Sequence, residues 1–107
     1  MSNEAHQSLA LGFARALSER RYVEAHAMCT PDLRSKVSVE KMRSDFEAMI
    51  PLDWGPVAPI ELVDIGELSP PYLYVSLGGE VYSEAIAIYL ADVDGNLQVD
   101  NFELGRP

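Results

Sequence analysis

The spacing of the apolar residues changes at Pro51, and that change does most to limit what this chain can fold into. Before it, hydrophobic side chains recur at helical intervals: Leu9, Phe13 and Leu17 fall four apart, with Ala10 and Ala14 beside them. Val39, Met42, Phe46, Met49 and Ile50 repeat the pattern. After Pro51 the interval shortens to two, in "YLYVSL", "VYSEAIAIYLADV" and "LQVDNFEL". Helices first and antiparallel strands after predict an α+β domain with its helices packed on one face of the sheet. A chain of 107 residues is long enough to bury one core, so residues 1–107 are read as a single domain.

The punctuation refines this. Ser2 or Asn3 caps a helix running to about residue 19, and a short second helix is expected over 22–29. "TPD" marks a fresh start, with Thr30 as N-cap, Pro31 at the first helical position and Asp32 in the first turn. A third helix begins near Ser38 and stops at Pro51. In "IELVDIGEL" the alternation slips at Val63 and resumes at Ile65, which predicts a bulge before Gly66. "DGN" at 94–96 predicts a hairpin turn, since Gly and Asn tolerate positive φ. Strict alternation through the last strand puts Gln98, Asp100 and Phe102 on one face, and Leu97, Val99 and Asn101 on the other. The expected architecture is three N-terminal helices against about four strands.

Charge divides the chain unevenly. Residues 1–44 carry seven basic and five acidic side chains, a net of +2; residues 45–107 carry twelve acids and Arg106 alone, a net of −11. Displacing counterions from nucleic-acid phosphates takes clustered Lys and Arg, so nucleic acid is not an expected partner. The same acidity turns the chain away from anionic membranes and toward basic proteins. No apolar run nears the roughly 20 residues that cross a bilayer, and "MSNEAHQSLALGF" lacks the basic start of a secretory signal. One cysteine excludes an intramolecular disulfide, which points to a reducing cytoplasm.

Three stretches together resemble the nuclear-transport-factor-two-like superfamily, a cystatin-like α+β cone. "FARALSERRYVEAHAMCTPDLRSKVSVEKMRSDFEAMI" is similar to the opening helices of that family, "EAIAIYLADVDGNLQVDNFEL" to its closing hairpin, and "LDWGP" to the loop between. The resemblance implies a curved sheet wrapped around the first helices, with a pocket at the open end. It does not imply one activity, because this fold hosts many. Ketosteroid isomerases and polyketide cyclases of the family place a carboxylate or His in that pocket, where burial moves its pKa toward neutrality. The isomerases add a hydrogen-bond donor from the first helix. Phe13 cannot serve as that donor.

The residues that could carry chemistry are few. Tyr22, Ala25, His26 and Cys29 share a helical face, which reads as packing, with His26 as a polar lining of the cone. Zinc would need three or four ligands, and the remaining histidine, His6, is near the terminus, so no metal and no cofactor are expected. "DVDGN" places its glycine fourth rather than sixth, which suits a turn and not a calcium loop. Asp64 and Asp100 lie within strands, where either could face the pocket. Trp54, between Pro51 and Pro56, plugs the open end or grips a ligand. If Leu73, Val75 and Leu77 turn toward the helices, Tyr72 and Tyr74 fall on the outer face; in the reversed register the tyrosines line the pocket. On the outer face, Tyr82 and Glu84 join them as an interface through which two copies could pair.

The reading favoured is a non-catalytic binding or interaction domain, with Phe13, Tyr22, His26, Trp54, Asp64 and Asp100 as candidate pocket residues. Its partner is a basic protein or a small apolar ligand. An immunity-type protein that neutralises a basic toxin is one form of it. Two alternatives stay open: a cyclase- or isomerase-like enzyme using Asp64 or Asp100, and a structural homodimer without ligand.

Overall fold

The computed structural model describes residues 3–51, 58–65, 72–78 and 83–105, with the backbone alone at 3–4, 58–65, 72, 74, 83–84 and 105. In it, the change of spacing at Pro51 separates two layers. Four helices come first: α1 (Asn3–Ser18), α2 (Tyr22–Ala27), α3 (Pro31–Lys36) and α4 (Val39–Met49). Four strands follow: β1 (Ala58–Ile65), β2 (Tyr72–Gly78), β3 (Ser83–Val93) and β4 (Asn96–Gly105). They form one open antiparallel sheet in the order β1-β2-β3-β4. The α+β class is the one expected from the sequence.

The helices number four rather than three because two caps act in quick succession. Thr30 Oγ1 accepts the Leu33 N–H and starts α3 with Pro31 in its first turn. Ser38 Oγ then accepts the Lys41 N–H and starts α4 on a new axis. Between α1 and α2 the chain turns through Arg20, a non-glycine residue at φ +64°. Its side chain stabilises the turn: Arg20 Nη1 donates to the Ile50 carbonyl at 3.1 Å, and the guanidinium lies 5.2 Å from the Phe46 ring centroid.

The core joins the two layers. Phe13, Leu17, Met42, Phe46 and Ile50 from the helical half meet Val75, Leu77, Ile86, Ile88 and Val99 from the sheet, all fully buried. Leu73 is also buried, so one alternating face of β2 turns toward the helices, as its spacing requires. The hairpin forms at the expected place, with Asp94 at φ +52° and Gly95 at φ +84°. Asp92 Oδ1 accepts the Gly95 N–H at 2.8 Å, a side-chain contact that stabilises the turn.

Two register details differ from expectation. The bulge in β1 lies between Pro59 and Glu61, not before Gly66: Pro59 has no N–H for the ladder, and pairing with β2 runs evenly from Glu61 to Ile65. In β4 the alternation is not strict. Val99 pairs with Leu90 and Asn101 with Tyr89, which leaves Asp100 as an extra residue. Val99 therefore faces the core, Asp100 and Asn101 are both exposed, and Phe102 and Leu104 return to the helix side.

β4 is also the strand that ties the layers together by backbone. Val99 N–H donates to the Met28 carbonyl at 2.9 Å, and the Val99 carbonyl accepts the Thr30 N–H at 2.8 Å, a parallel bridge between Cys29 and Val99. This bridge also ends α2 at Ala27, two residues short of the expected limit.

Candidate functional site

An open groove of about 360 Å³ lies between α4 and β4. Asp45, Ala48 and Met49 of α4 form one wall with Val37 from the turn before it; Asn101, Phe102 and Leu104 of β4 form the other. The bulge at Asp100 makes this possible, because it brings Phe102 and Leu104 to the helix side together. Phe102 rests on the buried Phe13 ring, centroids 5.2 Å apart and planes tilted by 58°, so the apolar wall has a fixed floor. Val37 is held from behind: His26 Nε2–H donates to its carbonyl at 2.8 Å.

Two polar atoms of the groove have partners. Asp45 pairs with Lys41 at 3.0 Å along the exposed side of α4, a contact worth little to stability. Asn101 Oδ1 accepts the Phe102 N–H at 2.9 Å. The groove offers contact and shape between the apolar side chains of the two elements.

The residues singled out from the sequence do not gather around one cavity. Phe13 is fully buried and reaches the groove only through Phe102. Tyr22 is buried against the same end of α4 but does not line the groove; its hydroxyl donates to Glu47 Oε2 at 3.0 Å. Burial raises the pKa of that phenol, against the lowering effect of Arg20, and Glu47 adds to the rise. His26 braces the α3–α4 turn, and Asp100 is exposed on the bulge, where it accepts the Thr30 hydroxyl at 3.3 Å. Asp64 pairs with Leu73 across the β1–β2 ladder, Tyr74 lies between Val63 and Ala87, Tyr72 opposite Ile65, and Glu84 opposite Leu77. Their side chains, together with Trp54 and Tyr82, fall outside the described residues. Among the described residues, no three His, Cys, Asp or Glu side chains group as a metal ion would need. No described helix is long and apolar enough to cross a membrane.

The groove residues Ala48, Met49, Asn101, Phe102 and Leu104 were not among the sequence candidates. A signal for them was present. The apolar positions of the last strand are 97 and 99, then 102 and 104, and that change of parity across "DN" is the mark of a bulge.

Cys29 is a core residue. It is fully buried, its Sγ–H points to the Ala25 carbonyl at 3.5 Å, and burial raises the thiol to about 11, with Arg34 pulling slightly the other way. Because the folded thiol ionises above its ordinary value of 9.0, its contribution to stability is complete below pH 9. That contribution is lost as pH rises from about 9 to about 11. Denaturant titrations of the wild type and Cys29→Ala across this range should show a steeper alkaline fall in the wild type. Equal slopes would refute the assignment. Aromatic disulfide reagents should label Cys29 only at the rate of unfolding.

Helices packed on an open antiparallel sheet define the class of this protein, an α+β domain with a groove where the last helix meets the last strand. No family model, curated protein or solved structure matches the chain.

Proposed function

We propose that this chain is a non-catalytic binding domain of the nuclear-transport-factor-two-like type, working in a reducing compartment, that holds an apolar group of its ligand or partner in the α4–β4 groove. The observation that carries this reading is the groove itself: about 360 Å³, walled by the apolar side chains of Met49, Phe102, Leu104 and Val37. Specific pockets for small apolar groups fall in roughly this size class. An acid–base enzyme needs a carboxylate or His in a low-dielectric cavity. Asp100 instead is exposed, and His26 spends its Nε2–H on a backbone carbonyl.

The neutral fluorophore N-phenyl-1-naphthylamine tests the reading. Wild-type protein should enhance its fluorescence saturably. Ala48→Trp, which places an indole over the groove from an exposed position of α4, should weaken binding by about tenfold or more without lowering the melting temperature. If the variant binds the probe as the wild type does, the groove is not the site.

A further inference from the structure

We propose that the outer edge of β4 at Phe102 and Leu104 accepts an extended basic segment of a partner protein as a fifth strand, with that segment's apolar side chains seated in the α4–β4 groove. The proposal rests on reading the groove as the binding site and specifies how it is used.

β4 ends the strand order, so one of its backbone edges faces away from β3. At Val99 that edge is occupied by Met28 and Thr30. The bulge at Asp100 then resets the alternation, and the next residue to face the edge is Phe102 rather than Asn101. A hydrogen bond supports this independently: the Phe102 N–H donates to the Asn101 side-chain oxygen at 2.9 Å. Leu104 follows two residues on. Among the described residues, the isolated bridge at Val99 is the one backbone pairing on this edge. An edge with free amides and carbonyls is a template for another strand, and side-chain pockets beside such an edge give strand addition its specificity. Here the residues that present the edge, Phe102 and Leu104, also line the groove.

Charge selects the occupant. Asp100 and Glu103 are exposed on β4 between and beside the edge residues; they accept the Thr30 and Tyr89 hydroxyls, and among the described residues neither has a cationic partner. Five of the six described acids of the helical half contrast with them: Glu19, Glu24, Asp32, Glu40 and Asp45 each pair with a nearby Arg or Lys, and Glu47 accepts the Tyr22 hydroxyl. A second copy docking strand to strand would set these carboxylates against their own kind, which is destabilising. A segment alternating apolar with Lys or Arg residues would place the first set in the groove and the second beside Asp100 and Glu103. Asn101 holds the Phe102 amide while the edge is empty and must release it for a strand to pair.

The probe is a capped, labelled peptide of about eight alternating valine and lysine residues, followed by fluorescence anisotropy on the full chain. It should bind, and both its fully N-methylated form and a valine–glutamate analogue should bind at least about tenfold more weakly. Hydrogen exchange at the Phe102 and Leu104 amides should slow when the peptide is bound. Asn101→Ala, which frees the Phe102 amide at an exposed position, should tighten binding about threefold or more. Equal binding of the N-methylated peptide, or unchanged exchange at those two amides, overturns strand addition. If Ala48→Trp still blocks the peptide in that case, the groove reading survives alone. If naphthylamine binding also ignores Ala48→Trp, the groove reading has failed too. Concentration-dependent dimerisation that protects the same amides without peptide would assign the edge to a second copy and refute the basic partner.

Discussion

Phe13→Ala is expected to lower the unfolding free energy by about 3–5 kcal/mol, a large share of the roughly 5–15 kcal/mol typical of a domain. The ring is fully buried in the middle of α1, where the helical layer meets the sheet, and it supports Phe102 directly. Removing it leaves a void in the core cluster, whose residues are fixed in two layers and cannot close on it independently. Urea denaturation followed by far-ultraviolet dichroism measures the loss. The same variant should weaken naphthylamine binding under folding conditions, because the floor beneath Phe102 has gone. A stability loss below about 1.5 kcal/mol would mean that the layers repack around the gap, and the rigid-floor argument would fall with it.

Val99→Pro should cost about 3 kcal/mol by a different route. Proline keeps much of the apolar volume but has no N–H, so the Met28 carbonyl loses its partner at a half-buried position. The return bond from Thr30 to the Val99 carbonyl weakens with it, and so does the contact of the Thr30 hydroxyl with Asp100. Amide exchange at Thr30 should accelerate by more than the global loss of stability explains, because this bridge opens first. A variant within about 1 kcal/mol of wild type, with Thr30 still protected, would show that side-chain packing alone holds β4 to the helices.

How much of this was legible in the chain depended on whether the signal was local. Helical spacing up to Pro51, the Thr30 cap, the helix start near Ser38 and the "DGN" turn all rest on residues within one element, and each appears where its chemistry requires. That Thr30 and Ser38 each cap a separate helix was readable too, but eight residues are little room for a helix and its exit, so the pair passes for one start. The bulge in β4 was written in the shift from Leu97 and Val99 to Phe102 and Leu104, and strict alternation overlooked it. The groove depended on a non-local fact, that α4 lies alongside the edge of β4, and no spacing within either segment encodes it. His26 illustrates the same limit: its position on the face shared with Cys29 was visible, but its partner, the Val37 carbonyl, belongs to a turn eleven residues away.

The bridge between Met28–Thr30 and Val99 also orders events in time. Thr30 and Asp100 are 70 residues apart, so the contact that locks the helical layer forms only once nearly the whole domain exists. At roughly 5–20 residues per second, a growing chain waits about 4–14 s between making Thr30 and making its strand partner. During that interval the apolar stripe of α1, with Phe13 and Leu17 at its centre, has no sheet to cover it. A nascent chain of this protein is thus a client for hydrophobic-binding chaperones until its last strand is made, and a truncation that removes β4 should make that dependence permanent.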